Sequence, residues 1–230
     1  MGKRESTAAG ELARRLQRIV AAPGSDTEVA DRMLRESGLS LHGTVVQLIR
    51  NVLDHLDLAG RDRDPHEFAH STLVRSAITS AATALWIMAG PIDEQCYRTM
   101  QFGYRDEVYR RQYLEASRGR SRDCTASDSR RAALLAAART LRPDLSERRF
   151  HTIDSDSFIV AQAGLLMPPD ALGGTDPAVE VPAQWNLLSA YAHGRNWVTI
   201  EPGDRMDSVE VALAVAEAAV ARLERLSIVR

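Results

Sequence analysis

The chain has 230 residues and 44% hydrophobic content, so it is long enough and apolar enough to bury a core. Its formal net charge is −2, which excludes the bulk positive charge by which a protein attracts duplex DNA. The two cysteines lack the spacing of zinc or redox motifs, and the polar N-terminus lacks the features of a signal peptide, so we expect a cytoplasmic protein. We expect no membrane span, because Arg75 interrupts the longest apolar stretch.

Helical periodicity dominates the sequence: apolar residues recur at helical spacing, and alternating β-branched patterns are scarce. We therefore predict an all-α fold, a single domain over 1–230 that forms one helical bundle of about seven to nine helices without a significant sheet. Residues 1–38 are a candidate N-terminal helical extension, and 118–128 and 168–182 are predicted loops. In chain order, the predicted helices cover 5–20, a short segment ending near 38, 41–58, 65–90, 93–117, 129–141, 154–167, 183–193 and 207–226.

Capping residues mark several of the predicted helix starts. The segment PGSD at 23–26 ends the first predicted helix and caps the second. Asp64 and Pro65 fit an N-cap and a first helical residue, with Glu67 as the partner of a capping box. Asp93 and Asp207 are predicted to cap two later helices.

The stretch RNVLDH at 50–55 carries the pattern of a ribonuclease motif, with Arg50 followed by Asn51 and, four positions later, by His55. Arginine is so abundant that its spacing from histidine is uninformative, and only the rarer Asn51 gives the match weight. The stretch resembles the motif of HEPN ribonucleases, which are helical dimeric domains. The resemblance implies that Arg50 and His55 cleave RNA without a metal ion, using the 2′-hydroxyl of the RNA as nucleophile, and that Asn51 supports them.

Helix geometry sets a condition on this interpretation. On an ideal helix, Arg50 and His55 project about 140° apart, so both reach one RNA only if the helix distorts or a second subunit completes the site. The alternative is structural: Arg50 pairs with Asp54 on the solvent face, and His55 lies at the edge of the core.

The stretch HEFAH at 66–70 matches the HExxH pattern of zinc proteases, in which two histidines bind the metal and the glutamate acts as general base. Here the predicted capping box already uses Glu67, and no third ligand stands at a recognisable spacing. We therefore predict no metal ion and no cofactor. A zinc hydrolase with His66, Glu67 and His70 remains a third hypothesis.

Arg75 is the sole charged residue between His70 and Asp93. An arginine on so apolar a helix is costly to bury without a partner. We therefore expect Arg75 either to meet a carboxylate, such as Asp54 or Glu107, or to hold an anionic ligand. In the second case Arg75 marks a pocket.

The stretch QWNLLSAYAHGRNW at 184–197 places Asn186, Ser189 and His193 along one helical stripe. A glycine then ends the helix, so His193 lies beside the helix C-terminus, where the dipole favours a protonated imidazole. No acid follows at a suitable place and no nucleophile elbow is present, so a catalytic triad is not predicted. The alternative is a solvated stripe or a hydrogen-bonded core histidine.

Three segments together resemble a family of all-helical proteins common in actinobacteria: DHL at 54–56, TLVRSAITSAATALWI at 72–87 and WNLLSAYAHG at 185–194. The resemblance covers about 140 residues. It implies a bundle in which these three helices pack together, with Asp54, His55, Arg75 and His193 within reach of one another. The third segment is also similar to distant HEPN-like, abortive-infection proteins.

Two functions follow as hypotheses, and the sequence does not decide whether the protein is an enzyme. The first is a HEPN-like, metal-independent ribonuclease or a defence- or toxin-type effector that acts on RNA as a homodimer, with catalytic Arg50, Asn51, His55 and His193. The second is a non-enzymatic helical protein that binds a small anionic ligand or a partner peptide in a pocket around Arg75. Its ligand-binding residues are predicted to be Asp54, Arg75, Trp86, Asn186 and Ser189. The basic stretch at 118–124 either steers RNA or is a solvated loop.

Overall fold

Ten α-helices make up the described part of the protein. The computed structural model describes residues 3–61, 67–116, 124–152, 154–193 and 207–229. No strand occurs in these ranges, which confirms the all-α class, whereas seven to nine helices was too few. A 3₁₀ turn at Arg35–Ser37 follows the second helix. The helices are α1 (Lys3–Arg18), α2 (Asp26–Leu34), α3 (Leu41–Arg61), α4 (Glu67–Ile87), α5 (Ile92–Ala116), α6 (Thr125–Leu141), α7 (Glu147–His151), α8 (Asp156–Leu166), α9 (Pro177–Ala192) and α10 (Ser208–Leu226).

The central element is α4, which α3, α8, α9 and α10 surround. Every residue from 81 to 89 is buried. Many residues of α4 are alanines, whose small side chains let neighbouring helices pack close to its backbone. After Glu67, Arg75 is the only acidic or basic residue of this helix apart from His70. Within the described ranges, no helix combines the length and the apolar composition that crossing a membrane requires.

The two N-terminal helices contribute to the same core as the rest of the bundle. Leu12 and Leu16 of α1 and Leu34 of α2 are buried in the hydrophobic cluster that contains α3, α4 and α10. Arg15 of α1 also donates to both carboxylate oxygens of Glu224 in α10, from Nε at 3.1 Å and from Nη2 at 2.7 Å. The candidate extension at 1–38 is therefore packed against the bundle through both of its helices.

A small aromatic cluster joins α5 and α7. The fully buried Phe150 of α7 packs against Tyr97 and Tyr104 of α5, with ring centroids 5.7 and 5.0 Å apart. The Tyr104 hydroxyl donates to Glu147 at 2.8 Å. The sequence did not predict α7, because five residues are too few to show a helical period.

Glu94 of α5 links α5 with α6, because it accepts hydrogen bonds from Arg98 of its own helix at 2.9 Å and from Arg142 at the end of α6. Arg98 also donates to the backbone carbonyl of Trp86 at 2.5 Å, and its guanidinium lies 4.8 Å from the centroid of the Trp86 ring. The Trp86 carbonyl also accepts from the backbone N–H of Ala89 at 3.2 Å, so two donors satisfy it at the end of α4.

Several helix starts follow the predicted capping residues. The Ser25 hydroxyl accepts from a backbone N–H of the first turn of α2, and the Asp207 carboxylate does the same for α10. Asp93, by contrast, lies inside the first turn of α5 rather than at its cap. The predicted loop at 118–128 was wrong at its end, because α6 already begins at Thr125.

The start of α9 corrects the predicted loop at 168–182. Helix α9 begins at Pro177, and the Asp176 carboxylate caps it by accepting from the N–H of Ala178 at 3.0 Å. Proline is well suited to the first helical position, since its missing N–H needs no partner there. The prediction was wrong because the composition is rich in proline and glycine, and Pro182 lies inside the helix.

Helices α8 and α9 meet closely at Gly164, which is buried. A Cβ atom added to Gly164 would lie 2.5 Å from the carbonyl oxygen of Pro177 and 3.0 Å from the Cα of Ala178. Glycine is required here because the backbone of the next helix occupies the space of a side chain. This contact positions the beginning of α9, the helix that carries Ser189.

Candidate functional site

Four residues form a closed polar cluster between α4 and α9, called here the Arg75 cluster: Arg75, Thr79, Trp185 and Ser189. Arg75 donates from Nε to the Ser189 hydroxyl at 2.7 Å, and its guanidinium lies 4.7 Å from the centroid of the Trp185 ring. The indole N–H of Trp185 donates to the Thr79 hydroxyl at 2.9 Å. The i, i+4 spacing within each helix places both members of a pair on one face, so the two pairs meet across the interface.

Both hydroxyl groups of this cluster donate hydrogen bonds to backbone carbonyls. Ser189 donates to the carbonyl of Trp185 at 2.8 Å, and Thr79 donates to the carbonyl of Arg75 at 3.0 Å. Ser189 therefore accepts from the guanidinium while its own proton points into the helix. This arrangement positions a cation and does not activate a serine nucleophile.

Among the described residues, none provides a carboxylate to Arg75. Asp54, one expected partner, is exposed on α3. Glu107, the other, accepts from the Ser127 hydroxyl at 2.9 Å and pairs with Arg110 at 3.6 Å. The packing of α4 on α9 instead gives Arg75 a hydroxyl and an indole face, so its positive charge is not neutralised by these contacts.

The terminal nitrogens of Arg75 remain open to an acceptor. Nε is used by Ser189, whereas Nη1 and Nη2 carry four N–H groups to which the described residues give no acceptor. The residue is half-buried, so the described residues do not fully enclose its guanidinium. Stacking and one hydrogen bond hold the guanidinium in place, which prepares its outer edge to bind a carboxylate or phosphate group.

Asn186 and His193 lie on the face of α9 that carries Ser189, three residues before it and four residues after it. Both residues are exposed. His193 is the C-cap of α9, and its backbone N–H donates to the carbonyl of Ser189 at 3.1 Å. Together they flank the Arg75 cluster along α9, as the predicted stripe requires.

The RNVLDH stretch lies on α3 and matches the predicted structural alternative in burial, but not in the expected ion pair. Arg50 and Asp54 are both exposed, and within the described residues no ion pair joins them. The side-chain oxygen of Asn51 accepts from Gln47 at 3.1 Å. The half-buried His55 bonds through Nδ1 to the carbonyl of Asn51 at 2.5 Å. Because a carbonyl only accepts, Nδ1 carries the proton, and Nε2 is the acceptor of the neutral ring.

The residues predicted to share one site make no direct polar contact with one another in the described part of the chain. Helices α3 and α9 both pack against α4, but no hydrogen bond or ion pair in the described part of the chain links Asp54 or His55 with Arg75 or His193. Trp86 lies 11 residues after Arg75, which is about 16 Å along α4, and is buried beneath an arginine of α5.

The HEFAH stretch falls partly outside the described residues, as do the predicted cap at Asp64 and Pro65 and most of the basic stretch at 118–124. Of the two histidines that could bind zinc, His66 is not described. His70 is half-buried, and its Nδ1 atom is buried without a hydrogen-bond partner. In the described ranges, no group of three or more His, Cys, Asp or Glu residues could hold a metal ion.

Two members of the Arg75 cluster, Thr79 and Trp185, were not singled out by the sequence analysis. The signal that could have found them is the matching i, i+4 spacing of Arg75 with Thr79 and of Trp185 with Ser189, on two helices expected to pack together. Comparisons with known protein families, with curated proteins and with solved structures found no match for the chain.

Proposed function

We propose that the protein is a helical binding protein whose Arg75 cluster holds a small ligand through a carboxylate or phosphate group. The observation that carries this proposal is the half-buried guanidinium, which is fixed by Ser189 and Trp185 and lacks a carboxylate among the described residues. A cation removed in part from water and left without a counter-charge favours the binding of an anion.

The geometry of arginine defines the part of the ligand that is recognised. The planar guanidinium presents Nη1 and Nη2 side by side, and this edge matches the two oxygens of a carboxylate or phosphate in a bidentate pair. A hydrogen bond to a charged group contributes about 1.5–3 kcal/mol. Loss of the pair should therefore weaken binding roughly 10- to 150-fold, since 1.4 kcal/mol is tenfold in affinity.

Titration calorimetry with inorganic phosphate, benzoate and 3-phenylpropionate tests the proposal. We expect the wild-type protein to bind at least one of these anions. Arg75→Met should weaken the binding roughly 10- to 150-fold, since it keeps an unbranched side chain but removes the charge. Arg75→Lys should weaken it at least about tenfold, because lysine keeps the charge but loses the planar fork.

The matched control is Arg225→Ala, which removes an exposed arginine near the end of α10. This variant should bind the anions as the wild type does. If Arg225→Ala and Arg75→Met bind the anions equally well, or if no anion binds to the wild type, the proposal is wrong.

A second candidate, the HEPN-like ribonuclease, is supported by the His55 tautomer. The bond from Nδ1 to the Asn51 carbonyl leaves Nε2 as a proton acceptor on a half-buried ring, which is the form that a general base requires. Arg50, on the same helix, is exposed and open to a phosphate. Because the two side chains project about 140° apart, this candidate includes a homodimer in which one RNA meets Arg50 and His55 from different subunits.

RNA cleavage assays in the presence of a metal chelator test this candidate. Attack by the RNA 2′-hydroxyl on the adjacent phosphorus expels the 5′ oxygen, so the products should carry 2′,3′-cyclic phosphate and 5′-hydroxyl ends. Cleavage should disappear in Arg50→Ala and in His55→Ala and should weaken in His193→Ala. RNA that is equally stable with the wild type and with His55→Ala would exclude the ribonuclease.

A further inference from the structure

A pocket lies between α3 and α5, on helices other than the pair that forms the Arg75 cluster. Its volume is about 460 Å³. This lies within the range of about 300–1,000 Å³ that small-molecule sites occupy, and it equals the liquid volume of about 15 water molecules. The pocket is therefore too large for a single metal ion and has the size of a site for a small organic compound.

Two glycines form part of the pocket walls. Gly43 of α3 and Gly103 of α5 both line the pocket. A Cβ atom on Gly103 would lie 3.0 Å from a methyl carbon of Leu39, and one on Gly43 would have only Ser40 atoms within 4 Å. The absence of a side chain at Gly103 lets Leu39 pack against the backbone of α5, where it forms part of the pocket wall.

The pocket has one charged wall residue, Asp106 of α5, which is the only ionisable group among the residues that line it. Within the described part of the chain, its carboxylate has no hydrogen bond and no ion pair. The neighbouring Arg105 is engaged with Asp156 at 3.8 Å and with the ring of Phe102, 5.4 Å from its guanidinium. Asp106 is thus a carboxylate that faces the pocket without a counter-charge.

The surroundings of Asp106 also disfavour its charged form. The residue is exposed, yet the protein atoms around it desolvate the carboxylate and raise its pKa above the usual range. Glu107 raises this pKa further, whereas Arg105 lowers it. A perturbed carboxyl group in a cleft is a physical marker of a binding site.

The remaining walls combine apolar and neutral polar groups. Leu39, Leu48 and Phe102 form an apolar surface. On α3, Asn51 accepts from Gln47 through its oxygen, and its NH₂ group has no acceptor among the described residues. An apolar surface with a few convergent polar groups is the usual lining of a small-molecule site.

We propose that the α3–α5 pocket binds a small organic cation, an alkyl or arylalkyl amine whose ammonium group pairs with Asp106. The apolar body of the amine contacts the leucine and phenylalanine side chains of the wall. A neutral ligand would desolvate the carboxylate without compensating its charge, and an anion would be repelled by it. A Ca²⁺ or Mg²⁺ ion would find only one carboxylate, although these ions take six or more oxygen ligands.

Calorimetry with three probes of similar shape tests the proposal: 2-phenylethylamine, 2-phenylethanol and 3-phenylpropionate. We expect the amine to bind the wild-type protein at least about tenfold more tightly than the alcohol, since a hydrogen bond to a charged group is the difference between them. Asp106→Asn should remove this preference. Thr44→Trp should weaken the binding of every probe in the pocket, because the indole fills part of its volume without touching the carboxylate.

Two further measurements locate the ligand. The matched control Asp144→Asn, which removes an exposed carboxylate elsewhere, should leave the affinity for the amine unchanged. Chemical shifts of the Leu39 and Leu48 methyl groups should change with the amine in the wild type and in Arg75→Met, so this proposal and the anion site are tested separately. Equal affinity for amine and alcohol, unchanged amine affinity in Asp106→Asn, or no amine binding to the wild type would overturn the proposal.

Discussion

Substitution of Gly164 by alanine should destabilise the protein, although the same change inside most helices is stabilising. Alanine has a helix propensity about 1 kcal/mol better than glycine. At Gly164, however, the new methyl group would lie 2.5 Å from the Pro177 carbonyl oxygen, whereas ordinary contacts begin near 3.4 Å. The start of α9 must therefore move by about 0.9 Å, and a backbone carbonyl has no alternative rotamer by which to withdraw.

The expected magnitude follows from these opposing terms. Overpacking of a filled interior costs about 1–3 kcal/mol, and we place this backbone clash in the upper half of that range. After subtraction of the propensity gain, Gly164→Ala should lower the free energy of unfolding by about 1–2 kcal/mol. For a domain of this length, this corresponds to a fall in Tm of roughly 2–8 °C.

Urea unfolding followed by circular dichroism measures this effect, and Gly10→Ala is the matched control. Gly10 lies within α1, and a Cβ there would have only the tip of the Arg14 side chain nearby, at 3.9 Å. Gly10→Ala should therefore raise the free energy of unfolding by about 0.5–1 kcal/mol. If both variants are more stable than the wild type, α8 and α9 do not pack as closely as described.

Three further predictions concern the polar clusters and the thiols. Trp185→Phe keeps an aromatic ring beneath the guanidinium but loses the hydrogen bond to Thr79, so the free energy of unfolding should fall by about 1–2 kcal/mol in urea titrations; an unchanged midpoint would contradict this. Glu94→Gln weakens the pairing with two partly exposed arginines, so it should lower the free energy of unfolding by about 1 kcal/mol in urea titrations. This loss of stability should become smaller in about 1 M salt. Burial raises the pKa of the Cys96 thiol to about 11, so at pH 8 this thiol is protonated; a thiol reagent should modify Cys124 in the folded protein and Cys96 only after unfolding, and rapid labelling of both would disprove the burial.

The sequence was sufficient for the fold class because the helical period is strong along most of the chain. Apolar residues at i, i+3 and i+4 located α3 and α10 to within a few residues of their observed ends. The errors lie where two local signals compete. At 168–182 the abundance of Pro and Gly predicted a loop, although Asp176 and Pro177 have the residue types of a helix N-cap and first helical position. A helix as short as α7 has no period to read and is defined by its tertiary contacts.

The candidate sites were less accessible from the sequence, because each depends on contacts between distant segments. Arg75 was identified because α4 has few charged residues. The sequence does not show that its partners are a hydroxyl and an indole ring 114 and 110 residues away. No sequence pattern distinguished Asp106 as a site residue, since it is one of many acidic residues on a polar helix. Only the packing of α5 against α3 distinguishes it from its neighbours.

The position of α4 in the chain has a consequence for folding during synthesis. Its burial requires α8, α9 and α10, and about 140 residues separate the end of α4 from the end of α10. At a synthesis rate of about 5–20 residues per second, the ribosome needs roughly 7 to 28 s to make these residues. During that time an apolar helix is present without most of its partners. The nascent chain therefore offers a binding site for chaperones that the finished protein no longer exposes.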